Sequence, residues 1–123
     1  MKFYYNNQLV RTSKNHEYTH AVIVIDADGK IGCIGCRTSL QAAQAVKQGE
    51  INACYRGIDN ANEAIKALQA GKEGYYYLDG RKKWYAKFDK DRTVDYYKEW
   101  IEGNKRHIKK IEDEWQVVEL EAR

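Results

Sequence analysis

Seven residues toward the C-terminal end, Val94, Tyr97, Ile101, Asn104, Ile108, Ile111 and Trp115, follow one another at spacings that alternate between three and four. That alternation is the a/d seam of a helix that buries a narrow stripe against another element. It constrains the chain more than any other feature, because a strand of the same residues would scatter them over both faces. Asn104 is the polar member of the seam, and such a residue fixes register against a partner helix at some cost in stability. Two destinations fit the stripe: a helix of a second copy, or the chain's own sheet, as for any amphipathic helix. Tyr96 and Trp100 lie beside the seam and widen its apolar face, which favours a partner of some kind.

Ahead of this helix, three turn signals each separate two apolar runs. Asn6-Asn7 lies between Phe3-Tyr4-Tyr5 and Gln8-Leu9-Val10, and asparagine tolerates the positive φ that a two-residue hairpin needs. Ala27-Asp28-Gly29 lies between residues 21–25 and 30–34, and Asp79-Gly80 between residues 75–78 and 82–88. The chain has no proline, so Asn, Asp and Gly carry its turns. Gln116-Val117-Val118-Glu119-Leu120 reads as an edge strand.

Two helices are expected between the hairpins. Thr38 or Ser39 caps the first, which runs to about Lys47 with Leu40, Ala43 and Val46 on one side and Gly49 as its stop. Asn60-x-x-Glu63 resembles a capping box for the second, which carries Ala61, Ala64, Ile65 and Leu68 and stops at Gly71. No linker or composition break divides the chain. The expected fold is therefore a single α+β domain over residues 1–123, with an antiparallel N-terminal sheet built from hairpins, packed with helices, and a long C-terminal helix.

Composition narrows the function classes. Hydrophobic residues make up 43% and charged residues 32% of 123 residues, which excludes a disordered chain. A formal net charge of +3 suits an anionic ligand but falls short of a general nucleic-acid binder. The longest apolar run, residues 21–25, is too short to span a bilayer, and no apolar stretch follows Lys2 as in a signal peptide. The expected location is the cytoplasm, with the three cysteines as reduced thiols.

Little points to catalysis. His16-x3-His20 and Cys33-x2-Cys36 have a zinc-like spacing, but an odd offset in a strand sends the two cysteines to opposite faces unless the chain turns at Gly35. No metal and no cofactor are expected. Walker and dinucleotide glycine patterns are absent, and no nucleophile motif surrounds any cysteine. The protein is read as a non-enzyme.

Binding chemistry is better represented. If residues 81–88 are extended, Trp84, Ala86 and Phe88 share one face, while Lys83, Tyr85 and Lys87 share the other, a surface of charge and ring suited to bases and phosphates. The same hairpin carries Tyr75, Tyr76, Tyr77, Arg81 and Lys82. Arg106 and Lys110 stand one turn apart on the seam helix, where dimerisation would double them near a symmetry axis. Arg11 and Thr12 follow the first hairpin, and Arg56 offers a fork of donors beside Tyr55 and Gly57. The candidate ligand-binding residues are thus Arg11, Thr12, Arg56, Tyr76, Tyr77, Arg81, Lys82, Trp84, Tyr85, Arg106 and Lys110. Solvent-facing lysines that protect a strand edge, or surface ion pairs, explain the same residues without a ligand.

The order of these features resembles the first family of Thoeris anti-defence proteins of phages and prophages. The resemblance rests on the N-terminal hairpin leading into Leu9-Val10-Arg11-Thr12-Ser13, on Ala64-Ile65-x2-Leu68 with Gly71 before an aromatic hairpin, on Tyr97-x2-Trp100-Ile101, and on the closing Val117-Val118-Glu119-Leu120. It covers nearly the whole length. It implies a non-catalytic sponge that sequesters the cyclic ADP-ribose isomer of a bacterial TIR-domain enzyme in the infected cell. It also implies a homo-oligomer, dimer or larger, with ligand in recessed pockets between protomers, and in some members separate sites for cyclic oligonucleotides. A small single-stranded nucleic-acid-binding module is the alternative, because the same hairpin and lysines would serve it.

Overall fold

In a computed structural model, residues 1–71 and 94–123 are described in full, and strands 74–78 and 81–85 by their backbone. The fold is α+β, with two three-stranded antiparallel sheets, a two-stranded hairpin and two helices. In chain order the elements are β1 (Lys2–Tyr5), β2 (Gln8–Thr12), β3 (His20–Ile25), β4 (Ile31–Arg37), α1 (Leu40–Gln69), β5 (Gly74–Leu78), β6 (Arg81–Tyr85), α2 (Val94–Glu114), β7 (Gln116–Glu119) and β8 (Glu121–Ala122). They group into two compact units, residues 1–51 with 110–123, and residues 52–109.

All three expected hairpins form. Asn6 and Asn7 both hold positive φ, 48° and 62°, which matches the right-handed twist of β1 and β2. Gly29 holds φ 80° in the second turn, where the Asp26 side chain accepts hydrogen bonds from the Asp28 and Lys30 amides. In the first unit β1 is central between β2 and β8, and β3 is central between β4 and β7. The C-terminal segment therefore closes both sheets: β7 pairs with β3 and β8 with β1. Gln8 also ties the first hairpin to the second, donating to the Gly29 carbonyl and accepting from the Ile31 amide.

The core of this unit is built on β3. Ala21 and Ile23 share one face with Cys36 and Val118, and Tyr5, Val10, Tyr18 and Leu120 pack against that cluster. Val22 points to the opposite face and is equally buried. Ala43, Ile51 and Ile111 are buried residues that the helix ends contribute to the same unit.

Two expectations are corrected here. The two short helices are one helix, α1, which runs through Gly49 and Gly57 and makes Asn60-x-x-Glu63 a mid-helix stretch rather than a cap. A glycine interrupts a helix only weakly, by about 1 kcal/mol, and buried Ala43, Ile51, Cys54, Ala61 and Ala64 keep the helical period across both positions. Its ends are as expected: Ser39 caps it by accepting from the Ala42 amide, and Gly71 stops it at φ 68°.

The second correction concerns β4. Val22 pairs with Gly35, but Ile23 pairs with Cys33, so Ile34 is the extra residue of a β-bulge. The bulge cancels the odd offset, and Cys33 and Cys36 point to the same face with their sulfurs 3.6 Å apart.

In the second unit, α1 and α2 form an antiparallel pair. Ala61 and Ala64 cluster with Tyr97 and Ile101, and Ile58, Ile65 and Leu68 pack around them. Closer to the other end of the contact, Gly57 faces Trp100 and Asn104. Tyr97 and Ile101 of the seam thus pack on small residues of α1 in the same chain, and Asn104 faces Gly57.

Candidate functional site

On α2 a stripe one position before the seam flanks the contact with α1. Tyr96, Glu99, Trp100, Gly103 and Asn104 are the described residues lining a groove of about 400 Å³. Tyr96 and Trp100 are 43% and 51% exposed. Their spacing of four places them on adjacent turns of one face. The Asn104 carboxamide is oriented by its own bond to the Trp100 carbonyl, 2.9 Å. Gly103 leaves room between them, and an Arg106 guanidinium nitrogen comes within 3.7 Å of where a Cβ on Gly103 would stand. A neighbouring groove of about 440 Å³ is lined by Lys98, Glu99, Glu102 and Arg106.

Chemically this face offers a ring plane for stacking, an amide for directional bonding, a guanidinium for phosphate, and two carboxylates that accept from sugar hydroxyls. It offers no nucleophile with an adjacent base. Within the second unit Cys54 and His107 also bring ligand atoms within 4.8 Å of each other.

The sequence-based candidates fall in separate places. Arg11, on β2, donates to the Cys33 sulfur at 3.6 Å and lies 5.9 Å from the centre of the Tyr18 ring, so its guanidinium is engaged within the first unit. Thr12 is exposed at the end of the same strand, opposite Lys2. Arg56 is exposed on α1, inside a helix rather than beside a flexible backbone. Arg106 and Lys110 are exposed one turn apart on α2, as expected. Tyr76, Tyr77, Arg81, Lys82, Trp84 and Tyr85 lie on the β5–β6 hairpin, whose backbone register pairs Tyr77 with Lys82 and Tyr76 with Lys83. Their side chains lie outside the described residues, as do Ala86, Lys87 and Phe88.

Trp100, Tyr96 and Asn104 were not among the sequence-based site residues. In the sequence they are legible only as part of the apolar load beside the seam, and it is the helical phase that sets them near Gly103 and Arg106. His16 and His20 do not join the cysteines. The His16 amide donates to the Ser13 hydroxyl, and the His20 ring bonds the Thr19 hydroxyl.

The first unit adds a second constellation: Cys33, Cys36, Arg11 and Tyr18. Burial pushes the Cys36 thiol up to about 11, helped by its hydrogen bond with Cys33 and by that neighbour's charge, while Arg11 and Arg37 act in the opposite direction.

Fold and surface together define a small α+β protein whose described residues line two adjacent grooves on α2. Compared with protein-family models, curated proteins and solved structures, the chain matches none. No helix among the described residues is long and apolar enough to cross a membrane.

Proposed function

We propose that the protein is a non-catalytic binder that captures a cyclic, nucleotide-derived phosphate of the cyclic ADP-ribose class and so withholds a signal. The biological setting that goes with this reading is a phage-encoded sponge blocking Thoeris immunity in the cytoplasm of an infected bacterium. One observation carries it: Trp100, half exposed, stands beside the Asn104 carboxamide and within a turn or two of Arg106. Such a ligand presents an adenine face, ribose hydroxyls and a pyrophosphate. A ring, an amide or carboxylate and a guanidinium are the groups that recognise those parts.

Among the described residues one helix lines the groove, whereas tight small-molecule sites bury most of the ligand. A second copy of the chain closing over Tyr96 and Trp100 supplies the missing wall. The oligomer in this reading therefore uses the outer stripe of α2, because Tyr97 and Ile101 are already committed to α1. Arg56 and the aromatic β5–β6 hairpin, with Arg81 and Lys82, remain the further candidates for base and phosphate contacts.

The test is mass spectrometry of ligand released by heat from protein exposed to a TIR-enzyme lysate. A sponge returns the cyclic nucleotide unchanged. A hydrolysed or otherwise altered product would make the protein an enzyme, and release of no nucleotide would remove the reading.

A further inference from the structure

The β4 bulge places two thiols in contact in an unusual setting. Ala21 and Ile23, two residues apart on β3, pair with Cys36 and Cys33, three residues apart on β4. Both sulfurs therefore face the same side and meet at 3.6 Å. They are not equivalent. Cys36 is 2% exposed, whereas Cys33 is only partly buried and carries an Arg11 N–H on its sulfur at 3.6 Å.

A thiol pair with these neighbours has two common uses, and the surroundings separate them. A metal cation would need further donors, yet among the described residues no third His, Cys, Asp or Glu joins this pair, and a guanidinium occupies the place beside Cys33. A cation opposes a second cation. The same guanidinium favours the negative charge that passes through sulfur during oxidation.

We infer that Cys33 and Cys36 form an oxidation site, in which a hydroperoxide converts the dithiol to an intramolecular disulfide. Cys33, the accessible sulfur, attacks one oxygen of hydrogen peroxide. The O–O bond breaks, one water leaves, and Cys33 becomes a sulfenic acid. The Cys36 sulfur then attacks the Cys33 sulfur. An S–S bond forms, the S–O bond breaks, and the Cys36 proton leaves with the hydroxyl as a second water. Two thiols and one peroxide give one disulfide and two waters. The sulfurs close from contact to a bond of about 2.05 Å. The buried and protonated state of Cys36 keeps it from reacting with peroxide first.

The full chain, reduced and then treated with hydrogen peroxide, provides the test through intact mass and peptide mapping. The expected product is two hydrogens lighter than the parent, links Cys33 to Cys36, leaves Cys54 open to alkylation after denaturation, and reverts with dithiothreitol. Cys36→Ala is expected to stop at a Cys33 sulfenic acid that dimedone traps. Arg11→Gln is expected to slow the first step about tenfold. Oxidation of Cys54 ahead of this pair, a disulfide between chains, or accumulation of sulfinic acid in the parent would each overturn the inference. The parent measurement decides the matter even if a variant does not fold.

Discussion

The indole nitrogen of Trp100 stands 3.4 Å from the point a Cβ on Gly57 would occupy, and the Asn104 carboxamide oxygen is equally near. Gly57 is thus where α1 admits the polar position of the α2 seam. That separation is ordinary contact for a methyl group, so Gly57→Ala is expected to fold with unchanged or slightly higher stability. Gly57→Leu forces Trp100 and Asn104 aside and is expected to cost roughly 1–3 kcal/mol. Urea unfolding of the two variants, followed by tryptophan fluorescence, distinguishes them.

Gly49 behaves differently because nothing lies within 4 Å of its absent Cβ. It sits inside a 30-residue helix with a solvent-facing position. Gly49→Ala is expected to raise stability by about 0.5–1 kcal/mol, chiefly by reducing the freedom of the unfolded chain. A lower thermal midpoint would mean that the helix is interrupted at this residue.

Ile101 is buried against Ala61, Ala64 and Tyr97 of its own chain. Ile101→Asp is therefore expected to unfold the α1–α2 pair, at about 4 kcal/mol or more, rather than to release folded monomers. Circular dichroism checks this. A variant of parental helicity but half the mass by light scattering would place the seam between chains.

Burial holds the Cys36 thiol at about 11, above its ordinary 9.0. The unfolded chain ionises first as pH rises, so the contribution is complete below pH 9 and is lost between pH 9 and 11. The full loss is on the order of 2–3 kcal/mol, since one pKa unit corresponds to about 1.4 kcal/mol. Urea midpoints at pH 8 and pH 11 are expected to fall further for the parent than for Cys36→Ala. Equal falls would show that Cys36 ionises as easily in the fold as outside it.

The elements with local signatures were legible in the sequence. Asn6-Asn7, the Asp28-Gly29 turn and Gly71 each need backbone conformations that few residues adopt, and the structure has positive φ at Asn6, Asn7, Gly29 and Gly71. The a/d period of α2 was equally plain. The destination of its seam was not, because spacing states which residues are buried and not what buries them. The continuity of α1 was missed because Gly49 and Gly57 are local stop signals overridden by periodic burial on either side. The bulge at Ile34 has no local marker: it appears only when the β3 residues opposite are counted. Trp100 and Tyr96 are legible as rings that widen the apolar face of the seam, but grouping them with Asn104 and Arg106 requires the helical phase fixed by packing on α1.

On the proposed reading, ligand contacts are expected in the α2 groove and at Arg56 and the β5–β6 hairpin. Stacking contributes about 1–3 kcal/mol per base, so Trp100→Ala and Tyr77→Ala are each expected to weaken binding of the cyclic nucleotide. A charge-assisted phosphate contact contributes about 1.5–3 kcal/mol, so Arg106→Ala or Arg56→Ala is expected to weaken it roughly tenfold to a hundredfold. Calorimetry against each variant, with circular dichroism to confirm the fold, ranks the four residues. If all four bind as tightly as the parent, the site lies elsewhere.

Calorimetry of the parent protein with glyco-cyclic ADP-ribose, repeated at low and high salt, tests the central claim most directly. The account predicts saturable binding of the cyclic nucleotide, modest salt dependence, and recovery of the intact ligand on heating. An absence of heat with that ligand, together with binding of single-stranded oligonucleotides that weakens steeply with salt, would contradict it and identify a nucleic-acid-binding module instead.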